Sequence, residues 1–219
     1  MIGEVDLLVN YPKAARDLSK RANDKTEADR QIARRFDSEF FDGDRRHGYG
    51  GFAYSPRFWQ PVVPTFQQHW DLKDGDSVLD VGCAKGFMLH DFQAGIPGLK
   101  IAGVDLSDYA IANSLESVKE FLQVANAREL PFSDGSFDYI ISINTVHNLA
   151  INDCMRALSE IERVSLRGSF ITVDAYRDKA ERKRMEDWNL TALTILSVNE
   201  WIDLFKEAGY SGDYFWFIP

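Results

Sequence analysis

The chain has 219 residues, 45% hydrophobic and 13% aromatic, enough to bury one substantial core with embellishments. Its 34 Asp and Glu outnumber its 25 Lys and Arg, and the net charge of -9 is the wrong sign for gripping phosphate backbones, so no nucleic-acid partner is expected. Two cysteines, Cys83 and Cys154, suggest neither a disulfide scaffold nor a metal cluster, and no run of 18 or more apolar residues points to a membrane. The opening "MIGEVDLLVNYPKAARD" lacks a basic leader followed by an apolar stretch, so the expected setting is cytoplasmic, with no membrane partner.

Residues 1–54 read as a first part, in which charged helical sequence, "KTEADRQIARRFDSEFF", gives way to "DGDRRHGYGGFAY". That loop sets Gly43, Gly48, Gly50 and Gly51 among Arg45, Arg46, His47 and Tyr49, too irregular for a strand and too aromatic for an inert linker. Residues 55–219 form the second part. Ser55 is expected to cap a helix with Pro56 at its first position, and Pro61 and Pro64 are expected to kink or break that helix. From Asp74 the texture alternates between strand and helix, with strands predicted at 77–82, 100–105, 121–126, 137–143 and 169–175. Helices are expected from about Phe87, Asp108 and Asp153, the last capped by Asn152 and facing the sheet with Met155, Leu158, Ile161 and Val164. Residues 178–196 suggest helical cover. Ser197 with Glu200 forms a capping box for a helix stopped by Gly209, and "DYFWFI" reads as a final strand. The pattern is that of an α/β fold, a doubly wound, mostly parallel sheet with helices on both faces and an N-terminal helical and lid extension.

In such sheets ligands bind beyond the carboxyl ends of the strands, and the first strand exits through Asp80-Val81-Gly82-Cys83-Ala84-Lys85-Gly86. The dinucleotide pattern G-x-G-x-x-G fails at Ala84, and the P-loop pattern fails because Lys85 precedes Gly86. What remains is an acid inside the strand, two glycines four apart, and a second acid, Asp105, about 20 residues on, where a carboxylate can accept ribose hydroxyls. Turn amides can hold a carboxylate and Asp80 can face an ammonium. A ligand with ribose, ammonium and carboxylate but no phosphate is S-adenosylmethionine.

"VLDVGCAKGF", "GVDLS", "ANARELPFSDGSFDYIIS" and "NTVHNL", in order and at normal spacing over residues 75–175, resemble class I S-adenosylmethionine-dependent methyltransferases of the small-molecule, type 11-like kind, with a Rossmann-like sheet. The resemblance implies that Gly82 and Gly86 shape the cofactor loop, Asp80 lies near the methionine end, Asp105 takes the ribose, Leu106 packs on adenine and Asn126 meets the adenine edge. Cys83, Ala127 and Asn144 are expected on the same cofactor surface. Ala84 and Asn126 depart from the commoner glycine and aspartate.

Methyl transfer from a sulfonium mainly requires an oriented acceptor and excluded water, and an oxygen acceptor also requires a base. His147, directly after the fourth strand, is the first candidate base and His47 the second, while His69 and His90 read as structural or surface residues. The prolines of nucleic-acid amino-methyltransferases are absent after the fourth strand, and neither cysteine sits where a nucleophile is needed, so the expected acceptor is an O or N atom of a small metabolite. The 42–54 loop is expected to act as a lid, Tyr49 lying against the sulfonium and Arg45 or Arg46 holding an anionic acceptor, with Tyr176, Arg177 and Trp188 on the acceptor side. Two other readings stay open: a protein that binds S-adenosylmethionine without catalysis, and an NAD-dependent oxidoreductase, which needs the glycine that Ala84 replaces. The family commonly adds two strands after the fifth. Here an uncovered aromatic edge at Tyr214–Phe217 would favour a homodimer.

Overall fold

The computed structural model describes residues 3–12 and 25–219; the remainder of the 1–54 extension lies outside the described residues. Its centre is a seven-stranded sheet. Strands β1 (Ser77–Val81), β2 (Lys100–Asp105), β3 (Leu122–Val124), β4 (Phe137–Ile143), β5 (Ser165–Tyr176), β6 (Leu196–Ser197) and β7 (Asp213–Phe217) run in the order β3-β2-β1-β4-β5-β6, with β7 also on β5. Every strand pairing is parallel, as in β1 on β2 with Asp80 opposite Gly103. The order reverses between β1 and β4, and this opens the crevice at the carboxyl ends of both strands.

Strands buried on both faces need apolar side chains at successive positions, and these strands have them. Leu79, Ile140 and Ile171 point into one cluster, and their neighbours Val78, Ile141 and Phe170 into the other. The first cluster lies under α7 (Ile151–Val164) and α9 (Val198–Ala208), the second under α4 (Val63–Trp70) and α5 (Phe87–Gly95). Among the described residues the remaining α-helices are α1 (Glu27–Ala33), α2 (Ser38–Phe41), α3 (Pro56–Trp59), α6 (Asp108–Ala112) and α8 (Lys179–Trp188). The last provides the cover expected over 178–196.

The expected and observed elements differ where local signals compete with packing. Helix α7 starts at Ile151 with Ala150 at its cap, and Asn152 lies inside the first turn. Its buried face is Cys154, Ala157, Leu158, Ile161 and Val164, a 3.6-residue stripe that leaves Met155 only partly covered at its margin. Ser55 occupies the cap of α3, yet its side chain makes no capping bond. Strand β3 is shorter than predicted, and β5 begins at Ser165, directly after α7, instead of at 169. The capping box of Ser197 and Glu200 and the left-handed Gly209 (φ 72°) form as expected.

The aromatic edge is covered from within the chain. The Val5 amide donates to the Tyr214 carbonyl at 2.9 Å and the Tyr214 amide to the Gly3 carbonyl at 3.1 Å, while Tyr214 and Trp216 are buried. The uncovered edge that suggested a homodimer is therefore not present at Tyr214.

Candidate active site

One cavity of about 890 Å³ opens at the switch point. Its lining takes in Asp80, Gly82, Cys83, Ala84, Asp105, Leu106, Asn126, Ala127 and Asn144 at and beyond the strand ends. It also takes in aromatic side chains from separate segments, among them Tyr11, Phe41, Tyr49, Phe52, Trp188 and Phe217.

Backbone geometry shapes the strand-end part of the lining. Gly82 has φ 89°, and a Cβ there would lie 2.1 Å from Thr145 Oγ1, so close approach and positive φ both demand glycine. Gly86 caps α5 in a left-handed conformation, packed against Val118 and Leu122 behind the cavity wall. Between them Ala84 also adopts positive φ, 49°, with its amide donating to Asp105 Oδ2 at 2.8 Å. The departure from glycine is thus accommodated by a fixed, strained residue.

Asp80 is buried, and its carboxyl is pushed up to about 8 by burial and by the nearby Asp105 carboxylate. Asp105 is also raised by burial, partly offset by amides including those of Ser107 and Ala84. Burial and these two acids push the Cys83 thiol well above its usual range, an inert state that suits wall rather than nucleophile. Asn126 Oδ1 accepts the Arg128 amide at 3.1 Å, which leaves its NH₂ as the donor for the cavity. Asn144, at φ 53°, turns β4 into the cavity wall and accepts a bond from Thr172 Oγ1 at 2.9 Å.

The two candidate bases fall in different places. His147 lines the cavity and is buried, but its Nδ1 accepts the Asp174 amide at 3.1 Å, so the ring proton sits on Nε2, 3.8 Å from Asp174 Oδ1. Burial lowers its pKa, and Asp174 only partly opposes this. With its lone pair occupied, the imidazole cannot take a proton in this tautomer. His47 is outside the cavity lining, bridging Glu39 (3.1 Å) and Asp29 (3.2 Å). His69 meets Asp213 at 2.7 Å and His90 meets Ser117 at 2.8 Å, both away from the cavity.

The expected acceptor residues are also divided. Arg45, Tyr49, Arg177 and Trp188 line the cavity; Arg46 and Tyr176 do not. Arg45 donates to the carbonyls of Gly48 and Tyr49 at 2.7 and 2.8 Å, bracing its own loop. Arg46 pairs with Asp44 at 2.9 Å, Arg177 with Glu4 and Glu181 at 3.7 Å each, and the Tyr176 hydroxyl reaches Glu200 at 3.4 Å. Sequence reasoning passed over Asp174, a cavity residue whose signal was available: like Asp80, it is an acid within an apolar strand, "ITVDAY".

Comparison with known proteins agrees with this geometry. Residues 79–173 match the family described as a methyltransferase domain. The matched stretch runs from β1 into β5, the strands that build the switch-point cavity, and over it the chain is similar to class I methyltransferases. The demethylmenaquinone methyltransferase of Symbiobacterium thermophilum is 33% identical over 126 residues, 53% of this chain and 49% of that one. The ribosomal protein L11 methyltransferase of Thermotoga maritima is 28% identical over 141 residues, 61% of this chain and 50% of that one. The chain thus spans about half the length of these curated relatives. In fold, it superposes on phosphoethanolamine N-methyltransferase 2 of Haemonchus contortus, solved with phosphomonomethylethanolamine and S-adenosylhomocysteine, with TM-score 0.57 and 21% identity over 81% of this chain and 44% of that one. Among the described residues no helix is long and apolar enough to cross a membrane, and no cluster of metal-ligating side chains occurs.

Proposed function

We propose that the protein transfers a methyl group from S-adenosylmethionine to an oxygen or nitrogen of a small metabolite. The observation that carries this reading is Asp80: a buried carboxyl in the cavity wall, beside a second acid, whose charging requires a cation. The ammonium of an aminoacyl nucleoside meets that requirement. Asp105 is then placed to accept the ribose hydroxyls, Asn126 NH₂ to donate to the adenine edge, and Leu106, 55% exposed at the cavity, to cover the adenine face. Relatives and fold neighbours that act on a demethylmenaquinone and on a phosphoethanolamine support a small acceptor, as does the aromatic part of the cavity lining.

When bound, S-adenosylmethionine would supply a methyl group activated by its sulfonium, whose transfer to an acceptor lone pair breaks the carbon–sulfur bond and releases the thioether S-adenosylhomocysteine. The residues of this chain orient that displacement. Tyr49, Phe52 and Phe41 form aromatic contacts over the cavity, Tyr49 and Phe52 with centroids 4.2 Å apart, and keep water from the reacting atoms. We place proton acceptance at the Asp174 carboxylate, with His147 fixing the strand end that carries it through the Nδ1 bond.

Calorimetry with S-adenosylmethionine, S-adenosylhomocysteine and NAD tests the cofactor. Micromolar binding of the first two and none of NAD is expected; binding of NAD alone overturns the reading. Incubation of metabolite extracts with isotopically labelled cofactor then identifies the methylated product by mass spectrometry.

A further inference from the structure

We infer that Lys85 is a positioning residue that makes the cofactor turn and the glycine-aromatic lid move as one unit, so that cofactor binding at the turn orders the lid facing the acceptor. The inference rests on the S-adenosylmethionine reading of the cavity.

Lys85 lies in the turn between Ala84 and Gly86, and its side chain is only 8% exposed. A buried ammonium is tolerated only with partners, and besides the Tyr109 ring, 5.8 Å away, both of its hydrogen-bond partners belong to the lid. Its Nζ donates to Asp42 Oδ2 at 2.7 Å and to the Phe52 carbonyl at 3.0 Å. Asp42 opens the loop at the end of α2 and Phe52 closes it. Asp42 ties the same neck from the other side, accepting the Phe52 amide on Oδ1 at 2.9 Å and the Tyr109 hydroxyl on Oδ2 at 2.8 Å. Burial works to raise the Asp42 pKa, and the bonds from Lys85, Phe52 and Tyr109 outweigh it, so the carboxylate stays ionised. Above the neck, the Phe52 ring stacks on Phe87, the first residue of α5, at 4.8 Å.

The other end of the linkage is the cofactor wall. One residue before Lys85, the Ala84 amide is held by Asp105, the carboxylate placed to meet the ribose. A ligand that engages Asp105 and the Gly82 turn fixes the backbone on which Lys85 is mounted. The two bonds of the ammonium carry that constraint to both ends of the loop. Coupling of this kind is reciprocal: a lid closed by acceptor must also tighten cofactor binding.

Hydrogen exchange of the amides of residues 43–52, with and without saturating S-adenosylmethionine, tests the linkage in the full chain. In the unsubstituted protein the cofactor is expected to slow their exchange by at least about tenfold. In Lys85→Met the effect is expected to fall below about twofold, while residues 80–84 remain protected by the bound cofactor. Lys85→Arg restores most of the lid protection, and Asp42→Asn behaves like Lys85→Met, the double variant losing nothing further. Full cofactor-induced lid protection in Lys85→Met overturns the inference. If Lys85→Met does not fold, the same protection retained in Asp42→Asn overturns it. Failure of the unsubstituted protein to bind S-adenosylmethionine in calorimetry overturns the cofactor reading, and the inference with it.

Discussion

The part of the cavity wall proposed for the cofactor hangs from the ends of β1, β2 and β4, with backbone amides and two buried carboxyls as its polar groups. The rest of the wall is assembled from side chains at residues 6–12, 36–52, 188–191 and 215–219, segments distant in sequence. The first is fixed by strand register and by glycine geometry, so small changes there act on the fold and on binding together. In the second, residues 36–52 are held by aromatic contacts and by the bonds of Lys85, so changes there act on the loop before they reach the core.

The most severe test of the cofactor end is Gly82→Ala. The added methyl would fall 2.1 Å from Thr145 Oγ1 at a backbone φ of 89°. We expect destabilisation by about 3 kcal/mol or more, with loss of cofactor binding. Thr145→Ala in the same chain removes the two closest colliding atoms but leaves its Cβ 2.8 Å from the added methyl, and is expected to recover part of the stability, because that contact and the backbone strain remain. Thermal unfolding of the single and double variants checks this; equal loss in both would show that collision is not the cause.

Asp80→Asn separates stability from binding. The native carboxyl, raised to about 8, holds its proton far above the unfolded value near 3.9, so it contributes stability at low pH that is lost as pH rises from about 4 to about 8. The variant escapes that loss. Without cofactor it should therefore be more stable than the parent at pH 8, with the gain shrinking towards pH 4. Its affinity for S-adenosylmethionine should fall about 100-fold, near 2.7 kcal/mol, because the partner of the ammonium is gone. A variant that binds as tightly as the parent would remove Asp80 from the site.

The histidine gives the next comparison. A general base contributes about 10²- to 10⁴-fold, so His147→Asn would lose that much if the imidazole took the proton. We expect less than about tenfold, since asparagine Oδ1 can replace Nδ1 as acceptor of the Asp174 amide, whereas His147→Phe leaves that amide unpaired at a cost of about 2 kcal/mol. The lowered pKa of His147 means that its contribution to stability is present above pH 6.5 and is lost as pH falls through the folded value. Transfer of labelled methyl to the identified acceptor and urea unfolding of both variants read out the two effects.

These tests track a division that is already visible in the sequence. Alternation of apolar runs with glycine turns locates β1, β2 and β4 to within a residue, because strands buried on both faces carry their signal locally. That Asp80, Gly82, Asp105 and Asn126 line the cavity is legible for the same reason: each stands at or next to a strand end. The start of α7 is not, because Asn152 is a good cap by type, while the chain needs Ile151 already helical to bring Cys154 and Ala157 onto the sheet. Nor are the roles of His47 and Arg45 legible. What decides them is a partner far away in sequence or a carbonyl in the same loop, Asp29 for one and Gly48 for the other, and residue type alone announces neither. The cover over β7 comes from residues 3–5, beyond the reach of any local pattern.

The smallest predicted effect lies at Ala84. A non-glycine residue in the left-handed region costs about 1–2 kcal/mol, while glycine there adds about 0.5–1 kcal/mol of unfolded-state entropy. Ala84→Gly should thus stabilise the protein by up to about 1 kcal/mol, a shift of about 2–4 °C in Tm for a chain of this size. Because the bond to Asp105 comes from the backbone amide, cofactor affinity should stay within about twofold. A fall in Tm would mean that the alanine methyl packs favourably enough to offset its strain. A fall in affinity at unchanged Tm would mean instead that the rigidity of residue 84, and not only its amide, holds Asp105 ready for the ribose, which would make the departure from glycine a functional choice.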